Sequence, residues 1–185
     1  MLSSEQKSKF MSLCVEIIDL NILAYFYTEK LNNLANLFQK STRQKVMEEF
    51  IALRYMENGI ILHLTNLDDD SSDFSFKAVL KEINKGTLNV KEKKMITNRV
   101  GIYRKKINNL KTKHRNIRIA HLNYLEDLRI DEFLEYDNYI KLLIIYANEI
   151  GDLLWGEKIE MKFRLGSLEG IINFRDRFEC SKFNR

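Results

Sequence analysis

Between Lys111 and Asn123 the chain reads Lys-Thr-Lys-His-Arg-Asn-Ile-Arg-Ile-Ala-His-Leu-Asn. Its chemical centre is Arg115 and Asn116, followed within two helical turns' length of chain by His121. Arginine offers a planar charged fork that matches pairs of phosphate oxygens. Histidine exchanges a proton near neutral pH, so it serves as acid or base. Together they describe a phosphate site with a proton-transfer group beside it. Asn116 can orient either partner through its amide. Lys111, Lys113 and Arg118 are cations placed to hold a polyanion, and Asn123 adds a neutral donor and acceptor. The bland alternative for all of them is a solvated basic face. His63, beside Leu62 and Leu64, reads as a packed or surface residue.

Helices must position these groups. Ile96, Val100, Tyr103, Ile107 and Leu110 recur in steps of three and four, which predicts a basic amphipathic helix from about Val90 that leads into the motif. Its stripe packs inward, with Lys105, Lys106, Lys111 and Lys113 expected to face water. If that helix ran unbroken, Arg115 and His121 would stand about 120° apart around its axis and would not share a face. Either the helix bends within the motif or a second copy completes the site. Upstream, the spacing predicts a helix over about 4–27, capped by Ser3 or Ser4, and a further run over 29–39 after a bend, with Thr28 as its candidate cap. A core helix is expected next over 42–67, where Gly59 marks close helix contact, and a short one over 76–85, capped by Asp73 or Ser75 and stopped by Gly86. Residues 128–136 read as a connection. The last strong helix is expected over 137–155, capped by Asp137 or Asn138 and stopped by Gly156. In the tail, 158–164 alternates weakly and 167–178 reads helical.

The chain has 185 residues, 45% hydrophobic and 30% charged, enough for one domain with a real core. We read 1–185 as a single helical domain, with its core over about 4–155 and 157–185 as an extension. Proline is absent and glycine scarce, so long helices with few breaks are expected. No run approaches the length of an uninterrupted apolar membrane span, and the N-terminus lacks a signal-peptide pattern. Those features predict a cytoplasmic protein that does not engage a membrane. Cys14 and Cys180 are expected to be free thiols there. Between Lys91 and Arg118, eleven Lys or Arg stand against one acid, Glu92, while the whole chain carries only +4. One basic element on an otherwise acidic protein points to an anionic ligand at that place.

The Arg115-Asn116…His121 segment resembles the signature of the HEPN superfamily, all-α proteins many of which are ribonucleases. The form Arg-Asn-x-x-Ile-Ala-His is similar to its abortive-infection, AbiU-like branch. Glu48-Glu-Phe-Ile-Ala-Leu-Arg with Leu64-Thr-Asn-Leu-Asp68, and Phe76 to Ile83, resemble that branch more loosely, so the similarity spans most of 1–155. Asn123 stands where that branch often carries an acid, which weakens any role carried over to that position but leaves the Arg-His pair its own. The resemblance implies an all-α antiparallel helical bundle, a homodimer that sets two motifs face to face, and catalysis by Arg115, Asn116 and His121. It also implies a toxin or phage-defence effector with a possible antitoxin protein. In some members the antitoxin is a nucleotidyltransferase that modifies a tyrosine two residues after the histidine; here Asn123 holds that place and Tyr124 comes next.

RNA suits such a site because its own 2′-hydroxyl attacks the adjacent phosphorus. The reaction needs a base, an acid and positive charge on the phosphoryl oxygens, but no metal or other cofactor. His121 would move the proton and Arg115 would stabilise the charge. Asp68-Asp69-Asp70 is the one tight acidic cluster, and its bland explanation is an Asx-rich turn. The cysteines and histidines lack zinc spacing, and no Gly-rich phosphate loop is present. Three classes remain: a metal-independent endoribonuclease, a non-catalytic RNA- or nucleotide-binding module, and a structural or protein-interaction bundle. RNA cleavage separates the first from the others, and RNA binding separates the second from the third.

Overall fold

Ser3 opens the first helix with a capping box. Its hydroxyl accepts from the Gln6 N–H, and its own N–H donates to the Gln6 side chain. In the computed structural model, which describes residues 2–86, 89–112, 130–163 and 172–176, with side chains for all of these except 130–138, 162, 163 and 172, that helix is α1, Ser4–Lys9. Phe10 interrupts it and buries its ring, and α2 then runs unbroken over Met11–Lys40. The bend therefore falls at Phe10 and not at Thr28. The Thr28 hydroxyl donates to the Ala24 carbonyl 2.9 Å away, inside the helix, and so does not cap a new one.

Thr42 caps α3, Arg43–Asn66, by accepting from the Lys45 N–H. Ser75 does the same for α4, Phe76–Lys85, through Ala78, and Gly86 terminates it. The Asn89 side chain accepts from Lys91 at the start of α5, Val90–Leu110. The last helix, α6, covers Ile130–Trp155, so it begins at Ile130, before the expected Asp137, and encloses Asp137 and Asn138. Its first turn carries Asp131 and Glu132 in sequence, the acidic start that helices favour, and no Gly or Pro occurs in it before Gly151. Gly156 ends it with φ 77°, a left-handed conformation that favours glycine.

Among the described residues the regular elements are helices apart from one small hairpin. β1, Lys162–Phe163, pairs antiparallel with β2, Ile172–Asn173. Ile172 and Asn173 therefore do not continue the helix expected over 167–178. Long-range anchors override the local pattern. Phe174 is buried against Tyr25 and Phe26, and the Arg175 guanidinium binds both Asp152 carboxylate oxygens at 2.8 and 2.7 Å. Such a bidentate pair fixes direction as well as position.

Antiparallel pairs build the core. α2 packs on α3 so closely that a methyl group at Gly59 would lie 2.7 Å from Leu23 Cδ2. α2 also packs on α6, where Asn21 and Asn148 exchange amide hydrogen bonds of 2.7 and 2.9 Å while fully enclosed. By length and composition α2 is apolar enough to cross a membrane, with an 18-residue stretch of mean hydropathy 1.3, which the sequence reading did not anticipate. Glu16 and Asp19 interrupt its apolar run. Its inner residues, among them Leu13, Ile17 and Leu20, fill the core against α3 and α6. Cys14 is a buried free thiol there, and burial pushes its pKa up. Cys180 lies outside the described residues.

Candidate functional site

Helix α5 is the element that carries the chain into the motif. Its stripe of Ile96, Val100, Tyr103, Ile107 and Leu110 is buried as the spacing predicts. Tyr103 sits deepest. Its ring meets Phe76 edge-on at 5.3 Å, and its hydroxyl donates to the Leu64 carbonyl at 2.7 Å. Burial raises the phenol's pKa well above its usual range, so it stays a donor. That bond locks α5 to α3 just before α3 ends.

The basic residues of α5 divide by direction. On the flank toward α6, Arg99 pairs with Glu149 at 3.1 Å, and the Lys106 ammonium stands 5.8 Å from the Tyr146 ring centre. Tyr139 donates to the Lys106 carbonyl and ties the backbones together. On the opposite flank, Arg104 pairs with Asp70 at 2.6 Å and Lys111 with Asp68 at 2.6 Å. Near the helix start, Lys93 donates to the Gly86 carbonyl at 2.8 Å. The Lys91, Lys94 and Lys105 ammonium groups have no partner among the described residues. Three of the eight described cations between Lys91 and Lys111, Arg99, Arg104 and Lys111, are therefore neutralised by acids inside the fold, which composition alone does not reveal.

Lys111 faces Asp68 and not water. Its ammonium donates both to an Asp68 carboxylate oxygen and to the Asp68 carbonyl, and Asp68 is only 1% exposed. A phosphate at Lys111 would compete with a buried carboxylate. The neighbouring acids are equally committed. Asp69 accepts from the Ser71 N–H and hydroxyl in an Asx turn, and Asp70 accepts from Arg104 and pairs with Lys77. Arg104 and Lys77 hold the Asp70 carboxyl well below the usual carboxylate range. Among the described residues, no group of three His, Cys, Asp or Glu is arranged to hold a metal ion.

His63 is half-buried with its Nδ1 3.1 Å from Glu16 Oε1, and Asn66 donates to the same oxygen at 3.1 Å. It is a packed partner of a carboxylate, in keeping with its reading from sequence. Sequence reasoning missed a cleft of about 510 Å³ between α5 and α6, floored by Met95, Ile96 and Leu153 and flanked by the Arg99–Glu149 pair. No sequence signal could have found it, since it forms from residues far apart in the chain.

Arg115, Asn116 and His121 lie outside the described residues, as do Lys113, Arg118, Asn123 and Tyr124. Of the expected site residues, Lys111 alone is described. What the structure places is the frame: α5 ends at Leu110, a wider helical turn continues it at Lys111 and Thr112, and the chain returns on the neighbouring antiparallel helix at Ile130. Wider turns of this kind are often found at functional sites. Comparison with known protein families, curated proteins and solved structures gives no match.

Proposed function

We propose that the protein is a metal-independent endoribonuclease of the type its motif resembles, acting as a toxin or phage-defence effector. The observation that carries this reading is Arg115-Asn116…His121 at the exit of a basic helix. Arg115 stabilises charge on the phosphoryl oxygens, His121 transfers a proton, and Asn116 orients one or the other. Lys113, Arg118 and Asn123 hold the neighbouring phosphates. The commitment of Asp68, Asp69 and Asp70 to cations and a turn favours chemistry that draws on the 2′-hydroxyl and these side chains. Two proton transfers ask for two histidines, so the active form is a two-fold homodimer. Exposed apolar side chains on α2 and α3, including Val15, Phe26, Met47, Ile51 and Tyr55, favour a second copy.

The test is cleavage of single-stranded RNA by the purified protein with EDTA present. Products ending in a 2′,3′-cyclic phosphate, formed equally with and without EDTA, are expected. Loss of cleavage in EDTA with recovery on adding a divalent ion, or a 5′-phosphate on the downstream fragment, counts against the mechanism. Cleavage by a monomer at micromolar concentration counts against the dimer.

A further inference from the structure

We propose that the outer face of α5, from Lys91 through Lys94, Asn98, Gly101 and Lys105 to Asn109, is a track that binds a single RNA strand by its phosphates. This rests on the endoribonuclease reading and names where that enzyme grips its substrate. The six positions recur at steps of three and four, so they form one line along the helix, roughly opposite the buried stripe. All six are exposed. Over about 27 Å, at 1.5 Å per residue, the line offers ammonium and amide groups and no carboxylate. Glu92, the one acid of α5, lies to the side, in the wall of the cleft shared with α6.

Three observations set this line apart from an ordinary solvated face. First, the fold engages the cations on the flanks of α5 and leaves those on the line: the Lys91, Lys94 and Lys105 ammonium groups have no partner among the described residues, whereas Arg99, Arg104 and Lys111 pair with acids, Lys106 stands over Tyr146 and Lys93 donates to the Gly86 carbonyl. Second, Gly101 sits in the middle of the line, where a methyl group would meet nothing within 4 Å. A helix-interior glycine costs roughly 1 kcal/mol against alanine, and no packing inside the fold explains it. Its bare backbone lets another chain come close, the standard use of glycine where a ligand approaches. Third, the line runs toward Thr112, where the chain enters the motif.

The occupant is set by the chemistry. Ammonium and amide donors with no carboxylate among them suit a polyanion, and a row one helix wide suits one strand. Duplex RNA presents two backbones across a groove and needs a broader surface. No aromatic ring lies on the line to stack a base, so binding is to the backbone, weakly dependent on sequence and strongly on salt.

The full-length protein, Lys94→Glu/Lys105→Glu and Gly101→Ala are compared on a 2′-O-methyl RNA strand, which cannot be cleaved through its 2′-oxygen. The double variant is expected to bind at least ~10-fold more weakly. Its plot of log affinity against log salt should flatten by about 1.4, or ~0.7 for each lost phosphate contact on a single strand. Gly101→Ala should bind more weakly while melting no lower than the parent. On cleavable RNA the double variant should raise KM and leave kcat within about two-fold. Lys94→Gln/Lys105→Gln, which removes charge without reversing it, guards against misfolding by the first pair. Parent-level affinity and salt slope in a folded double variant overturn the track. So does a parent that binds anionic phospholipid vesicles through these lysines and binds no RNA. If the parent binds the strand through this face but cuts no RNA, the nuclease reading fails and the track stands.

Discussion

The Lys111 ammonium reaches the Asp68 carboxylate at 2.6 Å and the Asp68 carbonyl at 2.5 Å, clamping the end of α5 to the loop after α3. Asp68 is enclosed and Lys111 is only 20% exposed, so water screens this pair weakly. Removing one partner of such a pair leaves a buried charge uncompensated. Lys111→Ala is therefore expected to lower stability by about 3 kcal/mol in denaturant titration, and Asp68→Asn in the same chain should restore part of it. A Lys111→Ala protein that melts like the parent but binds RNA poorly would return Lys111 to a substrate role.

His121→Ala removes the proposed proton-transfer group and Arg115→Ala the proposed phosphate charge. Each should slow RNA cleavage by at least ~10²-fold, the scale of one acid/base group or one transition-state donor. Thermal melts should stay within about 0.5 kcal/mol of the parent, as for substitutions away from the core. In a structural bundle the order reverses: His121→Ala lowers the melt and there is no activity to lose. Parent-rate cleavage by His121→Ala disproves the site assignment.

Two helix-interior glycines should respond to alanine in opposite directions. At Gly101 the methyl enters open space, so Gly101→Ala should gain about 0.5–1 kcal/mol. At Gly151 it would lie 2.9 Å from Ile159 Cδ1 and 3.0 Å from Ile17 Cδ1, both in the core. Overpacking there costs ~1–3 kcal/mol, more than the helix propensity returns. Melting temperatures of the two variants, taken side by side, decide it; equal shifts would show that the α2–α6 contact is looser than these distances require.

Glu16 gives a pH dependence with a definite sign. Its hydrogen bond from His63, then that from Asn66, hold its carboxyl below the ordinary range against the opposing effect of burial. A carboxylate whose folded pKa is lowered contributes stability above its unfolded value of about 4.3, and that contribution fades as pH falls through the folded value. Glu16→Gln should thus cost about 1 kcal/mol at neutral pH and progressively less in acid. A constant gap across a pH series of urea melts would show that the charge of Glu16 is not what matters.

The helices were legible wherever caps and stripes agreed. The Thr42 and Ser75 hydroxyls start α3 and α4, Gly86 ends α4, and the stripe from Ile96 to Leu110 gave the buried side of α5. Reading failed where distant residues decide. Thr28 looks like a cap until its hydroxyl is seen to be used by Ala24, and Asp137 looks like a cap although the helix has begun at Ile130. Phe174 and Arg175 owe their hairpin to Tyr25, Phe26 and Asp152, none of them near in sequence. The same blindness applied to charge. Arg99, Arg104 and Lys111 look alike in the sequence as solvent-facing cations, but each is answered by an acid from another element.

The enclosed amide pair of Asn21 and Asn148 bears on which structure this sequence can choose. Stripes of Leu and Ile are nearly interchangeable, and two such helices could slide past each other by a turn with little loss of apolar burial. Two amides that satisfy each other cannot. A one-turn slip would strand both in hydrocarbon at about 1–3 kcal/mol apiece. The pair therefore acts less as glue than as a lock with one key, penalising rival alignments of α2 and α6 and so holding fixed the helix against which α5 docks.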